Sequence, residues 1–347
     1  MISSSESSNQ PSVTICIPSF NREDLVGETL ESLLAQTLPE WEAIVVDDGS
    51  TDAAMAVVSE YARRDSRIRL LERGRGPKGA CTCRNIAAEH AHGRYVLFLD
   101  NDDLLAPFAL AQRVQVLDDD AGLDFAIFSM LLFRGEPGTA DRLWNIDTGE
   151  DDLLRLLRLD PICQGTGTLW RRESFARVGS WDETLRVWQD IEFHLRAFTA
   201  RCRYKKRLDL PPDVYLRETD SSLSRGGYQS REKLESRALV ARSAVALLRE
   251  RGRAHLVPHV RYFCSSVVLG AAASNNLDIA REMRSWGVRE GVLTRSDARR
   301  LRFAEVARRS RLDRLELVRR VRDDLARSFH APSTLGQVRS SAWKRSS

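Results

Sequence analysis

The sequence predicts an α/β protein, a mostly parallel sheet with helices on both faces, followed by a basic α-helical C-terminal region. Three observations predict this. Short apolar runs rich in β-branched residues alternate with helical patterns through the first half of the chain, as in sheets covered on both faces. Most of these runs stop at a polar or acidic segment, as parallel strands do where they deliver residues to a ligand-binding edge. Charge also divides the chain. Residues 1–225 hold 27 Lys/Arg against 37 Asp/Glu, a net of −10, and residues 226–347 hold 26 against 12, a net of +14. That division predicts a boundary near Arg225. With 347 residues, 42% hydrophobic and 29% charged, the composition excludes wholesale disorder and fibrous repeats.

Each element has its own reason. Residues 1–10 are polar, with no basic start and no apolar core, and read as a loose tail rather than a secretory leader. Residues 13–17 are a β-branched strand, ended by Pro18 and the polar Ser19-Phe20-Asn21-Arg22. Leu25, Leu30, Leu33 and Leu34 share one side of a helix that Pro39 ends. Residues 43–46 are a continuous apolar strand that stops at Asp47-Asp48-Gly49-Ser50-Thr51-Asp52. A helix follows, with Met55, Val58 and Tyr61 inward, then a strand at 68–71. The glycine-rich stretch from Gly74 to Gly79 leads into a helix through Arg84, Asn85 and Ala91. Residues 95–99 are a further buried strand, ended by Asp100-Asn101-Asp102-Asp103.

Parallel strands share one carboxyl edge, so Pro18, Asp48 and the acidic cluster at 100–103 are expected to converge, although Pro18 and Asp102 stand 84 positions apart. Crowded carboxylates repel one another and burial adds to the cost. A divalent cation removes that difficulty, and oxygen ligands favour Mg²⁺ or Mn²⁺. Lys78 and Arg84 are placed to hold a diphosphate, helped by backbone N–H groups at Lys78-Gly79-Ala80. On physical grounds alone, the expectation is a metal-dependent site for a nucleoside diphosphate compound.

Four segments together carry a likeness. Residues 13–22 (Val-Thr-Ile-Cys-Ile-Pro-Ser-Phe-Asn-Arg), 45–52 (Val-Val-Asp-Asp-Gly-Ser-Thr-Asp), 83–87 (Cys-Arg-Asn-Ile-Ala) and 98–103 (Phe-Leu-Asp-Asn-Asp-Asp) resemble family 2 glycosyltransferases of the GT-A fold in order and spacing. The likeness covers about residues 11–225. It implies that Asp48 contacts the nucleotide base in a pocket lined by Pro18, that Asp100 holds the ribose or the metal, and that Asp102 holds the metal, with Asp103 a less central ligand. It implies that Asp190 takes the acceptor proton; Gln189 stands where the family usually carries Glu. Glu192 is the rival, about 200° around the helix from Asp190. The implied reaction is a single displacement from a nucleotide diphosphate sugar, with UDP favoured, to a glycan or lipid-linked hydroxyl, inverting the sugar carbon. Lys78 or Arg84 and the cation would steady the leaving group.

One departure stands out. Where several members carry a metal-binding His, this chain has Thr219, which leaves Arg217 or Asp220 to compensate. The departure keeps a second class open, a non-catalytic nucleotide-sugar scaffold that docks a partner through its basic half. A sugar-nucleotide pyrophosphorylase is disfavoured, since residues 18–22 contain no glycine. Trp181 and Trp188 are candidates to stack on a sugar face, and Gly165-Thr166-Gly167-Thr168 allows close backbone approach. Ser50 and Asp52 suit helix capping better than ligand contact. Asn85 reads as a local hydrogen-bonder, His194 as a structural histidine, and Cys81 and Cys83 as packing residues.

The basic half is rich in Arg, Ala and Leu, which predicts four or five helices. Leu312, Leu315, Val318, Val321 and Leu325 recur at amphipathic spacing. The region reads as a helical appendage on the catalytic domain or, more sharply, as a peripheral contact with an anionic membrane. Nucleic acid is a weaker partner, because no aromatic-interleaved basic motif occurs. Residues from 331 onward read as a disordered tail. No apolar run reaches the roughly 20 residues of a membrane span. The six cysteines form no CxxC pair, which points to a reduced, cytoplasmic setting, peripheral at the inner membrane face on the sharper reading.

Overall fold

The computed structural model describes residues 10–136, 142–218 and 227–309. Thr219, Asp220, the stretch from Leu312 to Leu325 and both expected tails, apart from Gln10, lie outside the described residues. The strands are β1 (Val13–Ser19), β2 (Trp41–Asp47), β3 (Ile68–Glu72), β4 (Tyr95–Phe98), β5 (Leu104–Leu105), β6 (Phe125–Phe128), β7 (Met130–Phe133), β8 (Arg142–Leu143), β9 (Thr168–Arg171), β10 (Tyr204–Arg207) and β11 (Val214–Arg217). The α-helices are α1 (Val26–Leu34), α2 (Ala54–Arg64), α3 (Ala80–Glu89), α4 (Ala109–Asp118), α5 (Asp152–Leu157), α6 (Arg172–Val178), α7 (Gln189–Thr199), α8 (Arg231–Glu250), α9 (Arg261–Ala273), α10 (Leu277–Arg289) and α11 (Arg295–Arg309).

Seven strands form the main sheet in the order β10-β6-β9-β4-β1-β2-β3. Four of its pairings are parallel, and β9 alone runs antiparallel to both neighbours. Every residue of β1 and β2 is buried, which explains their continuous apolar character. Alternation along β1 divides two cores. Val13, Ile15 and Ile17 pack with Leu30 and Leu33 of α1, while Cys16 joins Cys81, Cys83 and Ala87 of α3 on the other face. The register places Ser19 beside Asp47 and Cys16 beside Phe98, so these strands end at one edge.

A second sheet, β5-β11-β7-β8, stands beside the first. The two are joined by Arg113 of α4, fully buried, whose guanidinium grips Asp213 at 2.8 and 2.7 Å. The same guanidinium donates to the Thr166 carbonyl at 2.8 Å, which fixes the turn that precedes β9. Removing one member of a buried pair costs about 3–5 kcal/mol.

The basic C-terminal region packs onto the α3 side. Val240 and Val245 of α8, Phe263 and Val267 of α9 and Met283 of α10 belong to the same apolar cluster as α3 and α7. Full burial of a side chain such as Phe263 stabilises by about 1.5–3 kcal/mol. One expectation is corrected here. A 3-10 segment and α9 run together over Ala254–Ala273, 20 residues apolar enough by length and composition to cross a membrane. More than half of that stretch is buried inside the fold, with Val257, Val260, Phe263 and Val267 in the core. Polar residues at the helix junction hide its length in the sequence.

Candidate active site

The strand ends meet as their topology requires. At and just past the ends of β1, β2 and β4, the chain lines an open cleft of about 450 Å³ with Pro18, Ser19, Asp48, Asp100, Asn101, Asp102 and Asp103. Phe20, Arg22, Arg84, Trp144, Gln164, Gln189 and Arg217 are further lining residues. The rim is stitched by backbone and side chain. The Asp48 amide donates to the Ser19 carbonyl at 2.8 Å, and the Asn101 amide group donates to the Ser19 hydroxyl at 3.1 Å.

The two aspartates after β2 have different work. Asp47 closes its own turn by accepting from the Gly49 and Ser50 amides, both at 2.9 Å. Asp48 is left to face the cleft, where it takes Arg73 Nε at 2.6 Å and the Gly79 amide at 3.1 Å. Ser50 does not cap α2 as expected, whereas Asp52 does accept an amide at the helix start. The cap position is Ala53, with no side-chain cap bond. Ser50 accepts from the Asn21 amide and Asp52 from the Glu23 amide, and Asp52 also takes the Ala54 amide at the helix start.

The acidic cluster is wrapped in guanidinium groups. Asp100 Oδ1 lies 2.5 Å from Arg84 Nη2. Arg84 is buried, reaches Gln189 Oε1 at 3.0 Å through Nη1, and its Nε meets no partner among the described residues. Asp102 lies 3.7 Å from Arg22. Burial first, and the charge of Asp100 second, push the Asp102 carboxyl up to about 6. Asp103 is also pushed up, by burial first and then by the charges of Asp102 and Asp100, and it accepts the Arg217 amide at 2.9 Å. The Asp103 side chain therefore shapes the second sheet's edge. Asp100 and Asp102 are the carboxylates with the more open side chains, at 41% and 24% exposure. Among the described residues no set of three or more His, Cys, Asp or Glu side chains is grouped as a metal cage. Two crowded, part-open carboxylates fit a cation that takes its remaining oxygens from a diphosphate and water.

Lys78 is exposed and not among the cleft's lining residues. Its ammonium sits 3.6 Å from the Phe20 ring centre, and its carbonyl accepts from Arg186. Asp190 opens α7 half-buried, one position from the cleft-lining Gln189. Its Oδ1 accepts the Gly165 amide at 2.7 Å. A Cβ at Gly165 would lie 3.4 Å from that oxygen and from Phe98, so this glycine permits approach to Asp190. Glu192 is ion-paired with Arg196 at 2.7 Å. His194, fully buried, bonds the Asp190 carbonyl at 2.8 Å, and burial holds its pKa down.

The aromatic expectation is corrected. Trp181 is 2% exposed, stacked on Phe193 and edge-on to Phe98. Trp188 packs on Phe263 and bonds Tyr228. Neither presents a face to the cleft. Trp144 does line it, carried just past β8 and held by its amide bond to the Met130 carbonyl at 2.8 Å. Sequence reasoning missed Arg73 and Trp144. Arg73 follows β3 directly, so the strand-end rule that found Asp48 could have found it. Nothing local signals Trp144, because β8 is two residues long.

A two-sided α/β sheet with its carboxylate-rich carboxyl edge under a cleft defines a GT-A-fold protein. Solved structures agree on the fold. S. aureus TarS 1–349 in complex with UDP-GlcNAc superposes with a TM-score of 0.56 at 20% identity, covering 82% of this chain and 93% of that one. The mannosyltransferase PcManGT from Pyrobaculum calidifontis, in complex with GDP-Man and Mn²⁺, superposes at 0.53 and 20% identity, covering 93% and 86%. Residues 14–179, just under half of the chain, match the family model described as Glycosyl transferase family 2. The putative teichuronic acid biosynthesis glycosyltransferase TuaG of Bacillus subtilis is 35% identical over 129 residues, 37% of this chain and 51% of that protein. The chain spans less than two thirds of the length of the curated relatives it matches.

Proposed function

We propose that this chain transfers a sugar from a nucleoside diphosphate sugar to an acceptor hydroxyl, with inversion, in the assembly of a glycan or cell-surface polysaccharide. The observation that carries the reading is the placement of Asp190. Its carboxylate heads α7 beside Gln189, which is bonded to the same Arg84 that holds Asp100. One buried guanidinium therefore ties Asp100 to the residue that precedes Asp190, which supports a role for Asp190 beside the cleft. The family match supports the reaction class. The ligands named for TarS and PcManGT support a nucleotide-sugar donor, with UDP favoured, and the relative TuaG supports a polysaccharide product.

In this reading Asp48 and Arg73 face the base beside Pro18, and Asp100 meets the ribose. The acceptor hydroxyl gives its proton to Asp190 as its oxygen attacks the anomeric carbon. The bond from that carbon to the diphosphate oxygen breaks on the opposite face, which inverts the centre. Mn²⁺ or Mg²⁺ held by Asp100 and Asp102 would neutralise diphosphate charge. Arg84 and Lys78 add positive charge at that end. A cytoplasmic site of action, peripheral at the inner membrane face, fits a lipid-linked acceptor. The exposed side of α11 supports this, with Arg295, Arg299 and Arg302 around Phe303.

Asp190→Asn tests the assignment. Transfer should fall by at least about 10²-fold while UDP affinity, read by calorimetry, stays within about twofold. Equal transfer by parent and variant would remove Asp190 from the mechanism. No turnover of UDP-, GDP- or dTDP-sugars by the parent, with and without Mn²⁺, would favour the scaffold reading instead.

A further inference from the structure

The base helix begins with a conformational anomaly. Trp188, at its N-cap position, adopts the left-handed backbone conformation (φ 62°, ψ 24°) and makes no side-chain cap bond. A bulky residue persists there only when its surroundings over-determine it. Those surroundings come from the basic C-terminal region. Ser236, on α8 and 5% exposed, accepts the Arg186 amide at 3.0 Å and the Val187 amide at 3.2 Å. It donates to the Val187 carbonyl at 3.0 Å. One hydroxyl thus uses its single donor and both acceptor sites on the two residues before Trp188. The indole ring is held beside it. Trp188 Nε1 donates to the Tyr228 hydroxyl at 3.1 Å, and Phe263 packs on the ring with centres 5.0 Å apart. Arg237, fully buried, lies 4.2 Å over the Tyr228 ring and donates to the Tyr228 carbonyl at 2.8 Å.

The clamped turn also touches the donor side. Arg186 donates to the Lys78 carbonyl in the loop before α3. Gln189 donates to the Leu185 carbonyl at 3.0 Å while accepting from Arg84. We propose that Ser236 is a positioning residue for the transfer reaction. From α8 it locks the 186–188 turn so that the Asp190 carboxylate stands on the Gly165 amide, ready for the acceptor. The C-terminal helices then complete the active site. This inference rests on the reading of Asp190 as the base.

The test separates the two. In the full chain, Ser236→Ala should speed hydrogen exchange in the peptide holding Gly165, whose amide is bonded to Asp190, by about tenfold. Peptides around the Arg113–Asp213 pair should be unchanged. This readout needs no turnover, so it survives failure of the transfer reading. In the transfer assay, Ser236→Ala should lower kcat about 10–100-fold with donor KM and UDP affinity within about twofold, and Ser236→Thr, which keeps the hydroxyl, should restore most of it. Unchanged Gly165 exchange in Ser236→Ala would overturn the clamp. An equal loss of kcat and UDP affinity, or no rescue by threonine, would reduce Ser236 to a general packing role.

Discussion

Asp102 shows how a single side chain carries the charge problem of the site. Burial and the neighbouring Asp100 carboxylate lift its pKa to about 6, against the pull of Arg22. A group in that state is relieved by a cation. The expected outcome is that Mn²⁺ with UDP raises the melting temperature of the parent and that Asp102→Asn loses the Mn²⁺-dependent part. A ligand at 100 times its Kd stabilises by about 2.7 kcal/mol, so the difference is readable by calorimetry. An identical Mn²⁺ shift in both proteins would take Asp102 out of the metal site. Arg84 makes the complementary point. It reads in the sequence as a phosphate contact, and in the fold it first neutralises Asp100 and orients Gln189. The residue type signals positive charge at the cleft, but only the packing shows what that charge meets before a donor arrives.

At the scale of elements, the edge that carries the site depends on β1, β2 and β4 keeping their register. A buried polar knot does this at their opposite end. The Thr14 hydroxyl donates to Glu42 Oε1 at 2.7 Å, the His92 amide donates to the same oxygen at 2.7 Å, and the Gly93 amide donates to Thr14 Oγ1 at 2.8 Å. Gly93 passes so close that a Cβ there would lie 2.5 Å from the Thr14 nitrogen. Burial pushes the Glu42 carboxyl up, but the Thr14 hydroxyl and the His92 amide outweigh it and hold the pKa below 4.5. A depressed carboxyl stabilises the fold above its unfolded pKa, and that stability is lost as pH falls through the folded value. Glu42→Gln should therefore cost about 1–3 kcal/mol in urea unfolding at pH 7 and much less at pH 3. A cost independent of pH would show that the carboxylate charge is not what the knot uses.

At the scale of the whole molecule, the acidic half builds the cleft and the basic half braces it from the α3 side. Among the described residues, arginines of this half also face outward. On α11, Arg295, Arg299 and Arg302 are exposed around Phe303, at 49% exposure, while Glu305 is buried against Arg284. A helix face of arginine and aromatic residues suits an anionic lipid surface. The full chain should sediment with vesicles rich in anionic lipid and stay free of zwitterionic ones. Arg299→Glu with Arg302→Glu should weaken that binding by at least about tenfold, since each basic residue contributes about 1 kcal/mol near such a surface. Equal sedimentation with both vesicle types would leave the appendage reading.

The sequence by itself determined the alternation of strands and helices, the shared edge and the residues along it. Those depend on local patterning and on one topological rule, so Pro18, Asp48, Asp100 and Asp102 were legible at the strand ends where they stand. Asp190 was singled out only through the family likeness, because an acidic residue at a helix start is common for electrostatic reasons alone. Tertiary structure alone decided the rest. It buried Trp181, packed Trp188 against Phe263, brought Trp144 to the cleft just past a two-residue strand, tied Ser50 and Asp52 to the loop after β1, and set Ser236 against the turn before Asp190. These contacts join positions dozens of residues apart through packing and hydrogen bonds that leave no periodic trace in the chain.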